Sequence, residues 1–390
     1  MKLFNLQSLK SPAVIVFLSS LLSFIGWLVL TENMYYTLKK PFSVFSLGVV
    51  LAFVWYFFAI CNAFLGFRMG KSIKIKSNLL NKYVSLDSDL VFKIFIVLAV
   101  IGSFYSMYAI YLDIGGLDGM ISLIQNNQAN ELKRSLYREY SIGLKSLRYV
   151  SIHAVTLALI RRIVFKKKSL KLDLTALATL LMCAIISSRL SIIVTIVQTV
   201  LILVLYNKIK LKPRRVLIGG VLFYLLISTF NYTRNYGFYK KFGNMNFFEA
   251  GAADMIVYLG TPFQGAVSVG ENTQMIRAEP LNWYKYSGIP LSLTTNSSFL
   301  YYFRAHGWMC FLVASFFLFT YAFMAGIFIK FKSNVLILVY TTIMYIFAEF
   351  WRVYLFYQGI MIALIVTPIL VLLTVLIIKA ISYKKAKSIE

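Results

Sequence analysis

Acidic residues are scarce in this chain. Against 40 lysines and arginines stand 14 aspartates and glutamates, and 390 residues include only 2 histidines and 3 cysteines. Cys61, Cys183 and Cys310 all fall within apolar runs. That argues against a disulfide framework and against a cysteine-based metal site. No acidic cluster suggests a bound divalent cation, so the expected chemistry is metal-independent and needs no cofactor. A Gly-rich phosphate loop of the Walker type is missing too, which excludes ATP-driven transport by this chain alone.

What the chain does have is apolar surface. Hydrophobic residues make up 59% and charged residues only 14%, with a mean hydropathy of +0.75. No soluble domain of this length needs so much, so the expectation is an all-α, polytopic integral membrane protein. A net charge of +26 would point to nucleic acid in a soluble protein. Here the excess of lysine and arginine in cytoplasmic loops accounts for it, and no nucleic-acid partner is expected.

A spanning helix needs about 20 apolar residues, with roughly 17 workable. Segments 12–30, 42–67, 90–112, 147–165, 214–230, 307–329, 334–351 and 357–379 qualify. The run 172–206 is too long for one crossing, since a single helix would measure about 50 Å against a core of ~30 Å. The stretch AIISSRLSIIV divides it at Arg189 into 172–188 and 190–206. The result is one membrane domain over 1–390 with about ten transmembrane helices and both termini on one side. The first segment lacks a small-residue cleavage site and reads as a retained helix. Most basic residues then lie in short loops on the side of the termini, which is therefore the cytoplasmic side.

Two long connections face the other side. In the outer loop 113–146, Leu117, Met120, Ile121 and Ile124 recur at helical spacing, as in an amphipathic helix lying on the membrane. The large loop 231–306 precedes the last three helices, and a loop of that length is usually functional. Within it, 254–270 is apolar but interrupted by Gly and Pro, and reads as a re-entrant or surface segment. The loop is rich in aromatics, among them Tyr236 and Tyr301, and in cations, among them Arg234 and Arg304. Such aromatics serve either as an interfacial belt or as stacking partners for sugar rings.

Several polar residues stand out at this outer boundary. Arg189 either snorkels to headgroups or contacts an anion recessed in the membrane. His306, beside Arg304, is either structural or a general base near neutral pH. Glu349 and Arg352 share a helical face, so they pair with each other or Arg352 reaches an anion. The other histidine, His153, has no obvious partner.

In this layout the chain resembles the Wzy-type oligosaccharide repeat unit polymerases of bacteria and, more distantly, the O-antigen ligases. The segment SSRLSII resembles the family's small-residue–Arg turn between two spans, and NSSFLYYFRAHGWMCF its re-entry into the membrane after the large loop. Where family members often carry Phe-Gly or an acidic residue, this chain has Arg304-Ala305-His306. The resemblance implies glycosyl transfer at the periplasmic face of the inner membrane. A growing polymer on undecaprenyl pyrophosphate would pass to a new lipid-linked repeat unit, with a chain-length regulator protein as a further partner. His306 and Glu349 would be the catalytic candidates. Arg189, Arg234, Arg304, Arg352, Tyr301 and Tyr236 would hold pyrophosphate and glycan. A ligase and a lipid-linked oligosaccharide flippase or transporter remain as alternatives.

Overall fold

The computed structural model describes residues 6–30, 42–75, 84–116, 118–119, 121–122, 144–186, 190–209, 218–222, 224–225, 228–229, 245–289 and 296–387. Among them there is no β-strand, only one antiparallel bridge between Ser85 and Asn334. The helices in chain order are α1 (Pro12–Leu28), α2 (Leu47–Ser72), α3 (Asp89–Ile114), α4 (Val150–Ile163), α5 (Leu170–Ile186) and α6 (Leu190–Leu205). They continue with α7 (Phe247–Glu271), α8 (Thr273–Ala278), α9 (Tyr284–Ser287), α10 (Ser298–His306), α11 (Cys310–Phe328), α12 (Ile337–Glu349) and α13 (Gly359–Lys387). Local chemistry sets several boundaries. Ser88 caps α3 by accepting from the Val91 N–H, and Asn246 with Glu249 forms a reciprocal capping box at α7.

Four helical runs are long and apolar enough to cross a membrane: Leu47–Ser72, Asp89–Ile114, Ser298–Phe328 and Gly359–Ser382. The third is not one straight rod. Gly307 sits at φ +55°, a left-handed conformation that favours glycine. Rings of Phe299 and Phe311 would be about 18 Å apart along a straight helix, yet their centroids are 5.9 Å apart. Both pack on Trp55, at 4.6 and 5.3 Å. The chain therefore bends back on itself between α10 and α11.

The long apolar run 172–206 is two helices. α5 ends at Ile186 and α6 begins at Leu190, while Arg189 lies outside the described residues. The amphipathic helix expected within 113–146 falls largely outside them as well.

One end of the bundle gathers basic residues. Arg161 at the end of α4 pairs with Asp89 at the start of α3, and its guanidinium lies 4.5 Å from the Phe92 ring centroid. Lys167 meets Asp87 at 3.2 Å. Tyr206, just past α6, donates to the Lys332 carbonyl at 3.0 Å. Val335 donates to the Val84 carbonyl at 3.2 Å.

The segment 254–270, expected on the surface or re-entrant, lies inside α7, and 260–269 is buried against α1 and α2. Its small residues are contact points rather than breaks. A Cβ on Gly26 would sit 2.7 Å from Leu259 Cβ. Ser23 donates to the Leu259 carbonyl at 2.7 Å, and Trp27 Nε1 donates to Gln264 Oε1 at 2.7 Å. These contacts advance in the same order along both chains, so α1 and α7 run in the same direction. Glu271 at the far end of α7 accepts from the Gly48 N–H at 2.7 Å.

Candidate functional site

The turn between α12 and α13 follows a helix shorter than a full crossing. α12 has 13 residues, about 20 Å of rise, where a crossing needs ~30 Å. The Trp351 carbonyl accepts from Tyr56 at 3.3 Å, and Tyr56 lies about 13 Å along α2 from its start. The residues between Glu349 and Gln358 therefore pack beside α2, about 13 Å from its start.

Glu349 and Arg352 form an ion pair in this turn, each with a side chain 12% exposed. Tyr345, one turn earlier on the same face of α12, donates to Glu349 Oε1 at 2.9 Å. The flat face of Arg352 is covered by the Tyr258 ring from α7, 4.8 Å away, and Tyr258 is itself packed edge-on against Trp351. Glu349 therefore engages the Nε edge of the guanidinium and Tyr258 covers its plane.

Arg352 lines a pocket of about 190 Å³ together with Asn296, Ser297, Tyr301, Val353, Tyr354, Tyr357 and Gln358. Its aromatic wall is continuous. Tyr301 stacks on Tyr354 with centroids 5.6 Å apart, and the hydroxyls of Tyr301 and Tyr357 are hydrogen-bonded. Burial, then the neighbouring Tyr357 and Tyr301, hold the Tyr354 phenol above its ordinary value. It is a proton donor at neutral pH and not a base. Ser297 both lines the pocket and caps α10, accepting from the Leu300 N–H.

The remaining candidates are distributed around this group. Arg304 is half-buried, donates from Nε to the Pro280 carbonyl at 2.7 Å, and lies 5.0 Å from the Trp283 ring. It closes the loop after α8 over α10 and is not part of the pocket wall. His306 is exposed at the end of α10. Its ring is 6.4 Å from Tyr302, which packs on pocket residue Tyr354 at 4.3 Å. Arg234 and Tyr236, like Arg189, lie outside the described residues.

Glu349 Oε1 accepts from Tyr345 and Oε2 is paired with Arg352 Nε, so its geometry suits holding Arg352. His153, for which no partner was evident, is fully buried with two. Nδ1 is 3.1 Å from Gln198 Oε1 and Nε2 is 2.8 Å from the Leu364 carbonyl. It ties α4 to α6 and α13 and belongs to the core.

Sequence reasoning missed Tyr258, Tyr345, Tyr354 and Tyr357. Tyr345 was detectable, four residues before Glu349 on one helix face. Tyr258 was not, because it reaches the site through the packing of α7. The comparisons with known proteins add no name: no family model, curated protein or solved structure matches the chain.

Proposed function

We propose that the protein is a bacterial inner-membrane glycosyltransferase that polymerises undecaprenyl-pyrophosphate-linked oligosaccharide repeat units. The observation that carries this reading is Arg352, a guanidinium held by Glu349 and Tyr258 in the wall of a tyrosine-lined pocket. Arginine's planar fork matches phosphate oxygens. In the proposed reaction an acceptor sugar hydroxyl attacks the anomeric carbon of the lipid-linked donor. The new C–O bond forms as the bond to pyrophosphate breaks, and the leaving group takes the electron pair. Arg352 stabilises that growing charge in a water-poor setting. His306 takes the proton of the acceptor hydroxyl, and Glu349 acts as a positioning residue. Tyr301 and the amides of Asn296 and Gln358 hold sugar. Arg189, Arg234, Arg304 and Tyr236 belong to the proposal as further contacts along the path of the glycan.

About ten crossings with both termini in the cytoplasm are part of the same proposal. The basic end supports them. Contact between Tyr206 and Lys332 means that passages away from that end and back must balance between α6 and α12. α11 supplies the return, so one outward passage, through 218–229 or α7, completes the count.

Arg352→Lys keeps the charge and loses the fork. It should cut polymer formation at least ten-fold while the protein stays inserted, a loss of ~1.4 kcal/mol or more. Surface glycan in the deletion strain reads the class: single repeat units mean a polymerase, undelivered long chains a ligase, and neither a flippase. Normal polymer from both Arg352→Lys and His306→Ala would overturn the proposal.

A further inference from the structure

Four lysines from four helix ends meet at the basic end of the bundle, and the reaction proposed above uses none of them. Lys10 precedes α1, Lys71 lies in the last turn of α2, Lys330 follows α11 and Lys332 precedes α12. Hydrogen bonds fix this convergence. Lys330 Nζ donates to the Ile73 carbonyl just past α2. Tyr340 of α12 donates to the Lys10 carbonyl at 2.9 Å, and Tyr206 donates to that of Lys332 at 3.0 Å. α2 and α11 are in backbone contact beneath them, since a Cβ on Gly70 would sit 2.0 Å from the Phe323 carbonyl oxygen.

Like charges are crowded here. Burial, then Lys332 and Lys71, lower the affinity of Lys10 for its proton. Burial, then Lys71, does the same to Lys330. Nearby, Asp87 and Asp89 are engaged by Lys167 and Arg161. Met69 and Ile73 beside the cluster expose apolar surface, as a lipid tail requires. Keeping lysines on one side of the membrane needs only that they lie in these loops. It does not need four of them drawn together from separate elements.

We propose that Lys10, Lys71, Lys330 and Lys332 form a binding site for the phosphate headgroup of an anionic phospholipid at the cytoplasmic face. A phosphate placed among them offsets their mutual repulsion, and basic pockets between helix ends are where such headgroups bind. The proposal rests on the membrane reading and is independent of glycosyl transfer.

The test uses full-length protein in neutral detergent, titrated with phosphatidylglycerol, cardiolipin or phosphatidylcholine of matched acyl chains and read by native mass spectrometry. Anionic lipids should bind at least ten-fold more tightly than phosphatidylcholine, with a preference that weakens as salt is raised. Each Lys→Gln change at 71, 330 or 332 should reduce that preference about five-fold, equivalent to ~1 kcal/mol per lysine. Lys166→Gln with Lys168→Gln, in the neighbouring basic turn, should leave it unchanged. Should a variant fail to fold, the salt series on the parent protein decides. Equal binding of all three lipids would overturn the site. So would displacement of lipid by inorganic pyrophosphate at equal concentration, which would mark a soluble-anion site.

Discussion

Truncating Arg352 to alanine strands a carboxylate. Glu349 and Arg352 have side chains 12% exposed, and the one remaining hydrogen bond to Glu349 is that of Tyr345 at 2.9 Å. Removing one member of a buried pair costs ~3–5 kcal/mol, because the survivor is left charged and desolvated. The Tyr345 hydrogen bond keeps the expected loss near the lower end, ~3 kcal/mol, or about a hundred-fold in the folded-to-unfolded ratio. Changing both residues, Glu349→Gln with Arg352→Met, removes the charge together with its partner. Stability should then return to within ~1 kcal/mol of the parent. Polymer should not return, because the guanidinium in the pocket wall is gone. Unfolding of the parent, Glu349→Gln, Arg352→Met and the double variant in detergent gives the coupling energy, and the surface-glycan ladder of the same strains gives activity. A double variant as unstable as Arg352→Ala would refute the stability argument. A double variant that still makes polymer would refute the role given to Arg352.

Four other substitutions test the packing and electrostatics. Gly70→Ala pushes a methyl to 2.0 Å from the Phe323 carbonyl oxygen and should cost ~1–3 kcal/mol or more by overpacking. Gly219→Ala, with nothing within 4 Å of the added Cβ, should be close to neutral in the same unfolding assay. His153→Phe should destabilise by about 1–3 kcal/mol, since it leaves the buried Leu364 carbonyl without its side-chain partner while Gln198 Oε1 keeps the Thr156 hydroxyl at 3.4 Å. The Ser85 hydroxyl, against an opposing effect of burial, and then Lys167 hold Asp87 below its ordinary value of 3.8. Its contribution is therefore fully present above that pH and lost as pH falls through the lower folded value. With the pair 44% and 36% exposed, Asp87→Asn should cost under ~1 kcal/mol at neutral pH. It should also flatten the acid limb of the stability curve.

Some of this architecture was legible before any fold was known, because it depends on residues close together in the chain. Apolar run length decides that α2, α3 and α13 are long helices, and it required the run 172–206 to break near Arg189. Glu349 and Arg352 pair because three residues separate them on one turn, a relation that the sequence states outright. The segment 254–270 reads as surface or re-entrant in the sequence because Gly and Pro are local breakers in composition. In the packed molecule its small residues let α7 approach the backbones of α1 and α2, and that approach carries Tyr258 to the face of Arg352. His153 looked isolated for the same reason: Gln198 and Leu364 reach it only when α6 and α13 are in place. The position of the site beside α2 is likewise a tertiary property. It follows from a 13-residue α12 and from Tyr56 meeting Trp351, neither of which the apolar span 334–351 revealed. Hydrophobic patterning acts over a few turns and determines which segments are helices. Which side chains share a pocket, or which lysines share a helix-end cluster, is decided by contacts between segments far apart in the chain.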